Sequence, residues 1–302
     1  MESLKINSIL LGFLFCSTAC FAFDKTSENP LIANGACLEG NCKNGKGTIV
    51  SITGLKYSGE FSNNNLNGFG TMHHPDGTIH VGTWKDGQPN GKGTTTWADG
   101  LQYIGDYKNG IRHGKGKLTT PDGLEYSGDF KNGVESGIGT VIARNEGRKY
   151  SGYIENGIPN GHGTLILSNG VKYIGNFVNG KKHGQGTISN PEGYQYTGNF
   201  VNNLEHGQGI ITSKDGSRYE GEMKDGLMDG FGVLSLPDGS GYEGQWKNGV
   251  EHGKGIRITS EGRKLDGKWE NGKPVGSLKS SNPEIPSIIE YWKGSKYIGE
   301  GV

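Results

Sequence analysis

The sequence is short of the apolar residues from which ordinary domains build a core: 31% of its 302 residues are hydrophobic, and only five are tryptophan. A chain of this length with so little apolar material is not expected to enclose one conventional core. It also lacks an excess of charge of one sign, because 31 basic and 31 acidic residues leave a formal net charge of +0. This balance counts against nucleic-acid binding through a basic surface, and we expect no nucleic-acid partner.

The chain is rich in glycine, with 56 residues, and its sequence repeats with a period of 23 residues. A fixed period of this size indicates a repeat architecture. One step, from Tyr126 to Tyr150, is 24 residues long, and His80 and Leu265 occupy the opening position in two copies. The other copies open on an aromatic residue, at Tyr57, Tyr103, Tyr126, Tyr150, Tyr173, Tyr196, Tyr219 and Tyr242.

Each repeat has the pattern of a β-hairpin. In the copy that opens at Tyr126, alternation places Tyr126, Gly128 and Phe130 on one face of a strand. The turn dipeptide Asn132-Gly133 follows, and a second strand then begins with two more glycines on one face. Since glycine costs stability inside a strand, we expect the rings of one strand to lie across the glycines of its neighbours. Stacked hairpins would then bury one another's rings.

The pattern Tyr-x-Gly-x-Phe/Trp, Asn/Asp-Gly, Gly-x-Gly-Thr and Asp-Gly resembles the MORN (membrane occupation and recognition nexus) repeat. The resemblance covers residues 42–276 in about ten copies. We therefore predict an all-β fold, an elongated and twisted single-layer antiparallel sheet of stacked β-hairpin MORN repeats. The resemblance also implies phospholipid binding or scaffolding at membranes.

The N-terminal residues 1–22 resemble a secretory signal. Lys5 supplies positive charge, an apolar stretch runs from Ile9 to Phe15, and small residues precede a cleavage position after Ala22. We expect export to the periplasm or the extracellular space, and the absence of an Asn-x-Ser/Thr sequon favours a bacterium. In the alternative interpretation the chain is a membrane-anchored lipoprotein that is lipidated at Cys20.

Residues 23–41 form an N-terminal lead that includes the start of a disulfide cap. Cys37 and Cys42 would remain after cleavage, and two nearby cysteines in an exported chain predict a disulfide. Their spacing is not Cys-x-x-Cys, which counts against a redox or metal pair. Residues 277–302 form a C-terminal tail, in which we expect a capping hairpin from Ile288 onward.

No constellation of residues predicts catalysis, a metal site or a cofactor. Histidines precede a glycine in several copies, but equivalent positions lie about 10 Å apart and cannot share one zinc ion. We interpret the acidic residues between the aromatic positions as solvated cross-strand partners of lysines. The histidines are His113, His183, His206 and His252, and the acidic residues are Glu60, Asp106, Asp129, Glu220 and Glu222.

These observations predict a non-enzymatic scaffold that mediates protein–protein interaction in the cell envelope or outside the cell. We expect rows of exposed aromatic residues and two free sheet ends, which would also permit a homodimer. The alternative is a repeat protein that binds membrane phospholipid or cell-wall glycan, the latter through its aromatic positions. The sequence assigns no ligand-binding residue.

Overall fold

The computed structural model describes residues 34–282, 285–293 and 296–301, with side chains for residues 34–281. The predicted signal cleavage after Ala22 and the alternative lipidation of Cys20 lie outside this part of the chain. Within it, no helix is long and apolar enough to cross a membrane. The contacts divide the chain into two units between Gly161 and His162.

The first unit consists of β-strands and one short 3-10 turn, Arg144–Glu146. A further strand, β12 (Ile158–Ile166), contains the division between the units. The other strands of the first unit are β1 (Gly35–Gly40), β2 (Gly45–Ser51), β3 (Lys56–Ser62), β4 (Asn65–His73), β5 (Ile79–Lys85), β6 (Gln88–Thr96), β7 (Gln102–Lys108), β8 (Ile111–Thr119), β9 (Leu124–Lys131), β10 (Val134–Ala143) and β11 (Arg148–Glu155).

The second unit repeats the same plan. Its strands after β12 are β13 (Lys172–Val178), β14 (Lys181–Ser189), β15 (Gln195–Val201), β16 (Leu204–Thr212), β17 (Arg218–Lys224), β18 (Leu227–Ser235), β19 (Gly241–Lys247), β20 (Val250–Ile258), β21 (Lys264–Glu270), β22 (Lys273–Asn282), β23 (Ile285–Lys293) and β24 (Lys296–Gly301).

Within each unit, successive strands pair antiparallel in chain order, from β1 to β11 and from β13 to β24. The predicted all-β, single-layer antiparallel sheet of stacked hairpins is confirmed. The hairpin turns have the dihedral angles that Asn-Gly favours: in the β7–β8 turn, φ is 50° at Asn109 and 78° at Gly110.

Each regular hairpin contains a bulge close to its turn. Between β7 and β8, Gly105 faces Gly116 but Tyr107 faces Arg112, so β8 carries two extra residues there. Gly114 in this bulge has φ 68°, a value that favours glycine. Because side chains alternate with a period of two, the two-residue insertion keeps the ring residues and the glycines on the same face.

The rings of the repeats form a chain of edge-to-face contacts, which we call the aromatic ladder. Centroids of neighbouring rings lie 4.9–5.8 Å apart. Each opening tyrosine also bonds within its own strand, as where the Tyr103 hydroxyl donates to the Asp106 carbonyl at 2.9 Å. The ladder contains Tyr57, Phe61, His80, Trp84, Tyr103, Tyr107, Tyr126 and Phe130 in the first unit, and Tyr173, Phe177, Tyr196, Phe200, Tyr219, Tyr242, Trp246 and Trp269 in the second.

Burial of the ladder corrects one expectation from the sequence. The repeat aromatics were predicted to form exposed rows, but Tyr57, Tyr103 and Tyr126 are each 0% exposed. The glycine backbones on the same face leave room for the rings to lie flat on the sheet, so one layer buries them. The aromatic positions therefore stabilise the fold, and the expectation that the rings lie across glycines of neighbouring strands is confirmed.

The first strands differ from the repeats that follow. Cys37 lies in β1 and forms a disulfide with Cys42, with their Cα atoms 6.0 Å apart. Beyond the disulfide, β1 continues the sheet by pairing with β2, where Gly35 faces Ser51. The disulfide therefore joins β1 to the connection that leads from β1 to β2.

Candidate binding surfaces

The sheet has two chemically different faces. On β7, Tyr103, Gly105 and Tyr107 are buried on the ladder face, whereas Ile104 and Asp106 lie on the opposite face and are partly or fully exposed. We call this opposite face the groove face. On β7 the aromatic residues of the ladder are buried, so the groove face is the more exposed of the two faces there.

An open groove of about 800 Å³ lies on the groove face of the first unit. Backbone of the glycine rows lines it, together with the apolar side chains of Phe69, Val81, Ile104 and Ile138. Phe69 is 58% exposed, Ile104 48% and Ile138 62%. Sequence reasoning missed this site, although its signal is an apolar residue at a strand position that is polar in other copies.

Ion pairs cross the groove face from strand to strand. Lys92 Nζ lies 2.6 Å from Asp106 Oδ1, and Lys115 Nζ lies 2.6 Å from Asp129 Oδ1. Both members of each pair face solvent, so each pair contributes little stability. The predicted pairing of these acidic residues with lysines on neighbouring strands is seen at Asp106 and Asp129.

The same carboxylates also cap the bulges, a role that the sequence did not reveal. The Lys115 backbone N–H donates to Asp106 Oδ2 at 3.0 Å, and the Ile138 N–H donates to Asp129 Oδ2 at 3.0 Å. Burial acts to raise the pKa of the Asp106 carboxyl, but hydrogen bonds from Lys92 and the Lys115 N–H outweigh it and lower that pKa. This carboxyl therefore stays ionised and fixes the bulge.

The recurring histidines lie in the bulges, each next to a glycine with positive φ, as His113 is next to Gly114. His206 Nδ1 lies 3.8 Å from Asp225 Oδ1, at the next hairpin turn. Among the described residues, no group of three or more His, Cys, Asp or Glu side chains is arranged to hold a metal ion. The histidines are thus distributed one to a hairpin.

A different histidine belongs to the ladder. His80 is 5% exposed, its Nδ1 lies 2.8 Å from Thr95 Oγ1, and its ring meets Trp84 and Tyr107 edge-on. Thr95 Oγ1 in turn lies 2.5 Å from the Tyr107 hydroxyl. Burial lowers the pKa of His80 to about 4, so the ring is neutral at physiological pH.

A family model described as the MORN repeat matches ten segments of the chain. The segments are residues 57–79, 80–102, 103–125, 126–148, 150–172, 173–193, 196–218, 219–241, 242–262 and 266–277. A search of curated protein sequences finds no significant match.

Two of the solved structures that match this chain do so at low structural similarity and come from Drosophila melanogaster and Danio rerio. One is the TCP domain of Drosophila melanogaster SAS-4 in complex with a proline-rich motif of Ana2, at 13% identity and TM-score 0.34, covering 52% of this chain and 85% of that one. The other is the TCP10 domain of Danio rerio CPAP in complex with a STIL peptide, at 16% identity and TM-score 0.28, covering 88% of this chain and 99% of that one. Similarity at this level transfers no partner to this chain.

Proposed function

Because the chain belongs to the MORN repeat family, we propose that it is a non-enzymatic scaffold that binds a protein partner on the groove face of its first unit. A repeat sheet provides a continuous surface on which neighbouring copies add contacts. Family membership does not by itself specify a partner, because a fold hosts different functions through different sites. The proposal therefore depends on the groove.

The observation that carries the proposal is the exposed apolar lining of the groove. Phe69 lies on β4, Ile104 on β7 and Ile138 on β10. All three side chains line the same groove of about 800 Å³. Exposed apolar side chains grouped on a polar surface mark interaction sites. The Lys92–Asp106 and Lys115–Asp129 pairs lie on the strands between Phe69 and Ile138, and both lysines also line the groove. A partner that covers the apolar side chains would therefore also cover these ion pairs.

The test uses charge placed in the groove. We expect the purified chain, immobilised as bait, to capture a specific protein from an extract of the source cells. The double variant Ile104→Glu/Ile138→Glu should lose that protein, because two carboxylates would be buried without partners. The matched control is Ile52→Glu, since Ile52 is 86% exposed and lies outside the groove lining.

Three results would overturn the proposal. The first is capture of the same protein by the double variant as efficiently as by the native chain. The second is recovery of phospholipid or cell-wall glycan without a protein, which would favour the alternative function. The third is a chain that captures only itself, measured as a homodimer by light scattering.

We propose further that the chain is exported, to the periplasm or the extracellular space of a bacterium. The Cys37–Cys42 disulfide supports this location, because structural disulfides persist mainly in oxidising compartments. Mass spectrometry of the mature chain from fractionated cells should give an N-terminus at Phe23. A retained Met1 in the cytosolic fraction would contradict export, and a diacylated Cys20 would establish the lipoprotein alternative.

A further inference from the structure

One position in each repeat covers the aromatic ladder. It lies nine residues after the opening aromatic, and its side chain projects over the rings from the second strand of the hairpin. Leu66 holds this cover position in the first full repeat and is 0% exposed. In two later repeats the cover residue is a cation, Arg112 or Lys182.

These cations lie over ring faces of the ladder. The Arg112 guanidinium carbon is 5.7 Å from the Tyr103 ring centroid and 5.5 Å from that of Phe130. Lys182 Nζ is 5.7 Å and 5.3 Å from two corresponding rings in the second unit. Cations within about 6 Å of an aromatic centroid are attracted to the ring face. Basic side chains of this chain therefore pack against the rings of the ladder.

The second unit has a cavity of about 740 Å³ on this ladder face. Tyr219, Met223, Met228 and Trp246 form its apolar wall, and Glu205 is among its polar lining residues. All of its lining residues fall between Tyr194 and Gly272, within one unit. The cover residue here, Met228, brings no charge to the rings beneath it.

Two departures from the repeat pattern open the cavity. Ser217 lines it at a position where Leu101 and Leu124 stand in earlier repeats. Met223 replaces the second ring residue, at the position that corresponds to Phe200 one repeat earlier. A serine side chain is much smaller than leucine, so space remains above the sheet. The cavity thus lies where two residues depart from the repeat pattern.

The two carboxylates of the cavity wall differ in their pairing. Glu251 accepts hydrogen bonds from Arg257, whose guanidinium also lies 4.1 Å from the Trp269 centroid and donates to the Gly272 carbonyl at 3.1 Å. Glu205 is half-buried, and its carboxylate makes no hydrogen bond or ion pair to another described side chain, although it attracts Lys182 electrostatically. Glu205 is therefore the carboxylate of this cavity that no arginine engages directly.

We propose that this cavity receives a lysine or arginine side chain of a bound protein, with the cationic group at Glu205 and the stem against Tyr219, Met223 and Trp246. Arg112 and Lys182 already place the same chemistry over equivalent rings in other repeats. A partly buried carboxylate that makes no direct ion pair is stabilised by a hydrogen-bonded cation, and the apolar wall suits the long stem of a basic side chain. The inference rests on the proposed scaffold function and adds a second protein-binding site, on the ladder face of the second unit.

The test is a titration followed by the Trp246 indole N–H signal of the 15N-labelled full chain. Trp246 Nε1 donates to the Gly232 carbonyl at 3.1 Å, so its resonance reports on this wall. We expect Nα-acetyl-L-lysine N-methylamide to shift the signal saturably. The norleucine analogue, which has the stem without the charge, should bind at least about tenfold more weakly, since loss of one charge-assisted contact is worth about 1.4 kcal/mol or more.

Variants distinguish the contribution of the Glu205 charge from that of the open space in the cavity. Glu205→Gln should weaken binding of the lysine probe about tenfold, and Ser217→Leu should also weaken it by occupying part of the cavity. Glu192→Gln removes an exposed carboxylate of the same unit and should leave binding unchanged. A variant remains folded if the amide signals of residues around Tyr173 are the same as in the native chain.

No saturable shift, equal binding of the norleucine probe, or full binding by Glu205→Gln would each overturn the inference. These outcomes are distinguishable from failure of the proposed function, which is measured by protein capture with groove variants of the first unit. If the chain captures its partner through the groove but does not bind the lysine probe, the proposed function is supported and the proposed cation site is wrong. If it binds the probe but captures no protein through the groove, the cavity remains a binding site for basic side chains and the proposed function is wrong.

Discussion

The ring of Tyr103 lies against Gly116 of the neighbouring strand so closely that a Cβ built on this glycine would be 2.5 Å from the Cε2 atom of the ring. Real Cβ atoms do not approach carbon atoms to that distance. The same side chain also lies over Gly105, where an added Cβ would clash with the Tyr103 hydroxyl. Burial of a ring on a single layer thus depends on two facing glycines.

We predict that Gly116→Ala destabilises the first unit by about 2–3 kcal/mol, because the methyl group displaces a buried ring. Urea unfolding followed by tryptophan fluorescence would measure the change. The cost should fall sharply in a Tyr103→Ala background, since the ring is then absent, and a double-mutant cycle isolates this coupling.

Gly262→Ala is the control for the glycine change. An added Cβ at Gly262 meets nothing within 4 Å, but φ is 80°, so only backbone strain of about 1–2 kcal/mol is expected. Equal costs for Gly116→Ala in the presence and absence of the Tyr103 ring would contradict the proposed contact.

The sequence was sufficient to predict the hairpins, because each repeat carries its own turn, alternation and glycine pattern. It was also sufficient for the Cys37–Cys42 pairing, which is seen in the structure. The expectation that stacked hairpins bury the rings against neighbouring glycines is confirmed, as at Tyr103 and Gly116. The expectation of exposed aromatic rows was wrong, because alternation places Tyr103 and Tyr107 on one face but does not say whether that face is exposed.

The groove and the cavity could not be read from the repeat alone. Ile104 and Ile138 come from different repeats and line the same groove only because of the register of the strands. A hairpin pattern does not provide that register on its own. Ser217 and Met223 look like ordinary variation until the neighbouring repeats are in place. Recognition sites in such an array arise where individual copies depart from the consensus.

His80 makes the stability of the first unit depend on pH. Its folded pKa is about 4 against an ordinary value near 6.5, so the unfolded chain binds more protons between these values. Stability is complete above pH 6.5 and falls as pH decreases towards 4, by up to about 3 kcal/mol from this group. We predict that His80→Tyr, which restores the repeat residue, removes this part of the slope in urea unfolding between pH 7.5 and 4.

The control for the pH experiment is His113→Gln. His113 is a half-buried bulge residue outside the ladder, so its replacement should leave the dependence on pH in place. His74, whose pKa is also lowered by burial, contributes in the same direction in all variants. An unchanged slope in His80→Tyr would show that other groups dominate.

Glu135 holds the cover position of its repeat at 4% exposure and faces Phe130. Burial raises the pKa of its carboxyl, although its own N–H and Arg112 partly oppose that change. We predict that Glu135→Leu stabilises the first unit by about 1–2 kcal/mol at pH 7, because Leu66 fills the same position in another repeat.

The gain from Glu135→Leu should shrink as pH falls. A raised folded pKa means that the carboxyl opposes folding once pH exceeds its unfolded value, and this opposition disappears when the carboxyl is protonated in both states. Urea unfolding at pH 7 and at pH 4 measures the difference, and Glu135→Gln separates charge from shape. A destabilised Glu135→Leu chain would mean that the Arg112–Glu135 attraction outweighs the cost of burying the carboxylate.

The Cys37–Cys42 disulfide should stabilise only the strands beside it. A short closed loop of this kind contributes about 2 kcal/mol in the chain-entropy model, and in a repeat array each hairpin interacts mainly with its neighbours. We therefore predict that Cys37→Ser/Cys42→Ser accelerates amide hydrogen exchange in β1 and its partner β2 by about 30-fold, the factor that corresponds to 2 kcal/mol. Amides of β9 and β10, several hairpins away, serve as the internal control and should exchange at their native rates. Faster exchange across the whole first unit would instead mean that the N-terminal strands nucleate or hold the array, and the nearest-neighbour description would then fail for this chain.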